Sequence, residues 1–187
     1  METPLGEAMK LTPTAVDGAY IIEPVEFGDA RGMFSPIYED RKFANLNLCS
    51  HFTRVNGSFS AQKGTLRGLH YQPAPYKEAK LLRVIRGRVW DIAVDIREDS
   101  PSFGKWAATE LSAENRKLFY IPPGCAHGFQ TLEENTEVLY LCSNYYTAEH
   151  EKGICWNDPF FSIDWPLPPT VLSDKDQNHP SFAPPSP

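Results

Sequence analysis

Helical periodicity is scarce in this 187-residue sequence, and no apolar run approaches the roughly 20 residues that a membrane-spanning helix requires. The chain does not begin with a basic segment followed by an apolar stretch, so no secretory leader is expected. Positive charge is also short, with 18 Lys and Arg against 24 Asp and Glu and a net charge of -6. That balance argues against a general nucleic-acid surface, which needs a basic face to neutralise phosphates. It leaves room for a small phosphorylated ligand, which a few well-placed arginines can hold. The four cysteines, Cys49, Cys125, Cys142 and Cys155, form no C-x-x-C pair and have no zinc-type spacing. They read as reduced thiols, and a cytoplasmic protein is expected.

Strand and turn chemistry is abundant. Seventeen prolines and 12% aromatic residues favour an all-β architecture, and the length fits one domain spanning 1–187. Residues 1–15 are polar and weakly patterned and are expected to be an arm, mobile or docked on a partner. The body begins near Tyr20. The run Leu81 to Ile96 alternates β-branched and aromatic residues around Arg86-Gly87, which predicts a hairpin. Shorter strands are expected at 19–22, 118–121 and 137–142, with a short helix at 41–48 and a turn of helix at 112–116 capped by Ser112. Closely spaced short strands suggest a sandwich or barrel. From Trp165 onward the prolines exclude a central strand, so this segment should wrap the surface, with 181–187 disordered.

Two segments concentrate chemistry. Lys63 to Gln72 carries Arg67 and His70 among glycines, and Pro123 to Phe129 carries His127 between Gly124 and Gly128, placed at the end of a strand. Two histidines on separate strands could hold a metal, although neither has a second ligand in an H-x-H type arrangement. A metal-free acid/base site is the other reading. Carbanion chemistry beside a ketone needs a base, a stabiliser for the enolate oxygen and an acid. His70 suits the base, Lys80 the stabiliser and Tyr140 or Tyr146 the acid, with Asp176 available to orient the imidazole. Taken singly, Tyr140 is also a packing residue, Lys80 a solvated lysine and Asp176 a turn residue. Arg31 and Arg67 are equally surface ion-pair partners, and the residues alone leave these alternatives open.

Together the segments resemble the dTDP-4-dehydrorhamnose 3,5-epimerase family from about Tyr20 to Pro180. The matching stretches include Phe27 to Gly32, Lys63 to Gln72, Val94 to Arg97, Ser100 to Trp106, Leu111 to Asn115, Ile121 to Phe129, Trp156 to Pro159 and Leu172 to Asp176. The resemblance implies a cupin-type jelly-roll barrel, a homodimer, no metal or other cofactor, and a nucleotide-linked 4-keto-6-deoxyhexose as substrate. It also implies His70 as general base with Asp176 as its partner, Tyr140 as the acid on the other face, and Lys80 at the enolate oxygen. Arg31 and Arg67 would grip the pyrophosphate, Asn56, His127, Glu151 and Lys175 would contact ligand, and Tyr146 would stack on the base. Pro36, Arg54 and Val55 depart from the family pattern on the nucleotide side. The dTDP, CDP and GDP ketosugars, one inversion or two, a 3,4-ketoisomerase and a non-catalytic sugar-nucleotide binder therefore all stay in view.

Overall fold

The computed structural model describes residues 9–184. In chain order it forms β1 (Lys10–Pro13), β2 (Tyr20–Glu23), β3 (Phe27–Asp29), β4 (Gly32–Phe34) and a short helix α1 (Asp40–Asn45). Then come β5 (Arg54–Ser60), β6 (Leu66–Tyr71), β7 (Lys80–Arg86), β8 (Arg88–Asp95) and β9 (Trp106–Ser112). The remaining elements are β10 (Leu118–Ile121), β11 (Cys125–Thr131), β12 (Thr136–Cys142), β13 (Lys152–Gly153) and α2 (Asp174–Gln177). Two antiparallel sheets face each other as a jelly roll. One has the order β1-β2-β10-β7-β12-β5, the other β13-β6-β11-β8-β9, and β3-β4 is a separate hairpin.

Alternation decides which side chains enter the barrel. Leu82 and Val84 of β7, Val138 of β12, Phe119 and Ile121 of β10, Val89 and Ala93 of β8 and Phe129 of β11 close one end as a continuous apolar cluster. Burying each large apolar side chain contributes about 1.5–3 kcal/mol. Further along the same strands the inward row turns polar, through Lys80, Tyr140, Asn56, Ser58 and His127, and these residues line an open cavity. The outer faces are covered as well. Met9, Phe43 of α1 and Leu48 pack on Ile22, Leu81 and Leu118, while Ile154, Phe161, Trp165 and Phe182 of the C-terminal wrap pack around Leu69, Ile92 and Val94.

Several expectations change. The predicted 81–96 hairpin is not one, because β7 and β8 belong to different sheets. Gly87, at φ 73°, is the corner at which the chain crosses between them, and a Cβ there would lie 2.4 Å from Thr136 Oγ1. Both strands alternate as a hairpin's would, and alternation does not reveal which partner a strand pairs with. Residues 1–8 of the expected arm lie outside the described residues, but Lys10–Pro13 pair with Tyr20–Glu23 of this same chain. Ser112 Oγ does accept from Asn115 N–H at 2.9 Å, closing a turn without a helix. In the tail, Phe182 N–H donates to Asp158 Oδ2 at 2.6 Å, so the wrap is held through Phe182, and 185–187 lie outside the described residues.

Glycines at 68 and 128 let β6 and β11 approach closely where their register shifts between His127 and Phe129. Gly68 has φ +127°, and a Cβ on it would lie 2.6 Å from Gly128 Cα. Gly68→Ala is therefore expected to destabilise the fold by about 2–5 kcal/mol, from backbone strain plus overpacking. The check is the urea midpoint, which should fall at unchanged slope; an unchanged midpoint would mean that the close approach is no constraint.

Candidate active site

The cavity is about 480 Å³ and is lined by residues from both sheets together with α2. Ten of the eleven residues singled out from the sequence line it: His70, Tyr140, Asp176, Lys80, Asn56, Arg67, His127, Tyr146, Glu151 and Lys175. Arg31 is the exception. It sits in the turn of the β3-β4 hairpin with its side chain 90% exposed and paired to Asp29, outside this chain's own cavity. The local pattern Phe27 to Gly32 carried no information on which subunit or face that hairpin addresses.

His70 lies on β6, directly opposite His127 on β11. Its Nε2 is 2.7 Å from Asp176 Oδ1, across 106 residues of chain. Asp176 is held at the start of α2, where its N–H donates to Ser173 Oγ at 3.1 Å, and its other oxygen accepts from Gly68 N–H at 3.3 Å. Burial by itself would raise the Asp176 pKa. The hydrogen bond and charge of His70, with the Gly68 N–H, outweigh burial and hold the carboxyl below its ordinary value. An ionised Asp176 fixes the proton of a neutral His70 on Nε2 and leaves the lone pair on Nδ1.

His127 is in the middle of β11 rather than at a strand end, because the Pro122-Pro123-Gly124 turn separates two strands. Its Nε2 lies 3.1 Å from Asp91 Oδ1, and both side chains are buried. Burial pushes the His127 pKa down and the Asp91 pKa up, so each is driven away from a free charge. The pair suits hydrogen bonding to a ligand better than proton abstraction. Asp91 was missed in the sequence, where it reads as one polar residue inside an apolar strand.

On the opposite sheet, Lys80 of β7 and Tyr140 of β12 face the same cavity. Glu78 anchors this side, accepting from Arg54 Nη2 at 2.6 Å and standing 3.6 Å from Lys80 Nζ. Burial raises the Tyr140 pKa, assisted by Cys142 and opposed by Arg54 and Arg67, so its hydroxyl keeps its proton at neutral pH. Asn56 Nδ2 lies 3.7 Å from Cys142 Sγ, and Arg67 is braced by Ser60 Oγ at 3.2 Å and Phe59 O at 3.0 Å.

The mouth is built from Tyr146, Glu151, Lys175 and Arg54. Tyr146 O–H donates to Glu151 Oε2 at 3.0 Å, and Lys175 pairs with the same oxygen. Arg54 lies over the Tyr146 ring at 5.5 Å. Arg54, noted in the sequence as a departure from pattern, is thus part of the pocket wall. Glu78 and His179, the latter 3.4 Å from Asp176 Oδ1, were also missed, since nothing local distinguishes them.

The family model described as dTDP-4-dehydrorhamnose 3,5-epimerase matches residues 13–184. The chain is 45% identical over 179 residues to the dTDP-4-dehydrorhamnose 3,5-epimerase of Pseudomonas aeruginosa, covering 94% of this chain and 97% of that one. Among solved structures, the dTDP-4-dehydrorhamnose 3,5-epimerase of Elizabethkingia anophelis superposes with a TM-score of 0.91 at 47% identity, covering 94% of this chain and 97% of that one. The Legionella pneumophila dTDP-6-deoxy-D-glucose-3,5-epimerase, in complex with dTDP-4-keto-L-rhamnose, superposes with a TM-score of 0.87 at 42% identity, covering 92% of each chain.

Proposed function

Because this chain belongs to the dTDP-4-dehydrorhamnose 3,5-epimerase family, we propose that its cavity epimerises dTDP-4-dehydro-6-deoxy-D-glucose at C3 and C5 by metal-free proton transfer. One observation carries this reading. His70, paired to Asp176, comes from one sheet, while Tyr140 and Lys80 come from the facing sheet, so a sugar ring between them has a base on one side and an acid on the other. The C4 ketone acidifies the hydrogens on C3 and C5. His70 Nδ1 takes one of them, the developing enolate oxygen is stabilised by the Lys80 ammonium, and Tyr140 returns a proton to the opposite face. Two such passages convert the D-gluco ketone to the L-lyxo one.

The test is product analysis with chelator-treated protein. The expected product keeps its carbonyl at C4 and has inverted C3 and C5. A carbonyl moved to C3 would assign a ketoisomerase, one inverted centre a mono-epimerase, and an unchanged ketosugar a binding module.

In this reading Tyr146, at the mouth of the cavity, stacks on the nucleotide base, and Arg67 and Lys175 hold the phosphates. Aromatic stacking on a base is worth about 1–3 kcal/mol. Tyr146→Ala is expected to raise KM by about tenfold with kcat nearly unchanged, because the contact is the same in ground and transition states. A fall in kcat with unchanged KM would move Tyr146 into the chemistry.

We further propose a homodimer. The edge strand β5 exposes Val55 and Phe59, and the β3-β4 hairpin exposes Phe27, Met33 and Phe34, apolar surface of the kind that oligomers cover. In such a dimer Arg31 serves the neighbouring subunit's cavity. Light scattering should give twice the chain mass, and a monomer would count against this arrangement. All four cysteines are free thiols, and this supports the reading of a protein that works in a reducing compartment such as the cytoplasm.

A further inference from the structure

The epimerisation as derived has no use for His179. Its side chain is only 8% exposed, and its Nε2 has no hydrogen-bond partner among the described residues. That nitrogen nevertheless lies 3.4 Å from Asp176 Oδ1, the oxygen that His70 Nε2 approaches at 2.7 Å. Leaving a buried imidazole nitrogen unpaired is costly. The seat is built to hold it: a Cβ on Gly153 would lie 2.2 Å from the His179 ring, and Gly153 is fixed opposite His70 in the β13-β6 ladder.

We propose that His70, Asp176 and His179 form a three-ligand site for a divalent transition metal, zinc foremost, and that the bound ion switches the enzyme off. The binding stands on the three side chains alone, whereas the inhibition rests on His70 being the base.

The geometry fits. The three ligand atoms lie within 4.8 Å of one another, and the two imidazole rings are 5.4 Å apart, centroid to centroid, at 83°. Two imidazoles on one tetrahedral ion, with Zn–N about 2.0–2.1 Å, have centroids about 5 Å apart and ligand atoms about 3.3 Å apart. The His179–Asp176 edge already has that length, the His70–Asp176 edge must open by about half an ångström, and the His70–His179 edge, within 4.8 Å, must close as the two rings turn onto the ion. Two nitrogens and one carboxylate oxygen suit Zn²⁺, Co²⁺ or Ni²⁺ rather than Mg²⁺ or Ca²⁺. His70 and Asp176 line the cavity, the side from which an ion would reach them. Metal on His70 Nε2 moves the ring proton to Nδ1, so the imidazole keeps no lone pair for the sugar. The ion thereby opposes the activity instead of supporting it.

The test titrates Zn²⁺ into the metal-stripped full-length protein by calorimetry and follows Co²⁺ by its visible spectrum. One equivalent per chain is expected, with Mg²⁺ silent. His179→Ala should weaken Zn²⁺ by at least about tenfold, and His179→Phe, which refills the seat without a ligand atom, should do the same. Unchanged affinity in both variants, no saturable binding, or a thiolate-to-cobalt charge-transfer band would overturn the site. Zn²⁺ should also suppress hydrogen exchange into the ketosugar in proportion to occupancy. Binding that depends on His179 yet leaves exchange intact would support the metal site and count against His70 as the base.

Discussion

His70→Asn is expected to lower the rate of ketosugar epimerisation by about 10³-fold, within the range that a positioned general base contributes, and to leave nucleotide affinity within about twofold. Asparagine keeps a polar group near Asp176, so the loss isolates the missing imidazole lone pair. His127, on the strand opposite, does not take over. Burial disfavours its charged form, and its Nε2 is already engaged by Asp91. Steady-state kinetics on folded variant checks the result; turnover above about a tenth of the parent's would place the base elsewhere.

The second large effect is at Tyr140. Tyr140→Phe removes one hydroxyl from a half-buried ring, so packing is kept and the expected loss in product formation is about 10²–10³-fold. Substrate binding should change little. The variant should still allow His70 to remove a proton and return one from solvent to the same face. In deuterated water, label should therefore enter recovered, uninverted substrate faster than product forms. Equal loss of label entry and of inversion would mean that Tyr140 supports binding or enolisation instead of reprotonation. The pH profile adds a second check. Because burial raises the Tyr140 pKa, the acid stays protonated through neutrality, and an alkaline limb set by it lies above the ordinary tyrosine value of about 10.

Much of the fold was legible because period-2 alternation is a local property. The strands at β10 and β12 appear within a residue of where Leu118 to Ile121 and Glu137 to Cys142 put them. What alternation cannot encode is partnership. The Leu81 to Ile96 run alternates correctly on both sides of Gly87, yet its two halves join different sheets. The docking of Phe182 under Phe161 and the pairing of β1 depend on long-range contacts that a proline-rich or polar composition hides. Within the cavity, His70, His127 and Asp176 were already candidates from their residue types and glycine-rich or capped surroundings, and the resemblance chose among the roles left open for them. Arg54 and Asp91 act through Glu78 and His127, partners distant in the chain, and although His179 stands only three residues from Asp176, a lone histidine in a polar tail gives no sign of it. Arg31 shows the reverse case, a motif residue that its own chain does not bring to the cavity.

The chemistry proposed for this cavity is two-faced proton transfer at the carbons flanking the ketone, without a metal. Proton NMR of dTDP-4-keto-6-deoxyglucose in deuterated water, with chelator-treated wild-type protein, tests it most directly. Deuterium is expected at both C3 and C5 with inversion at each, and no stimulation on adding Zn²⁺ or Mg²⁺. No exchange at either carbon, or exchange that appears only when a metal is restored, would contradict it.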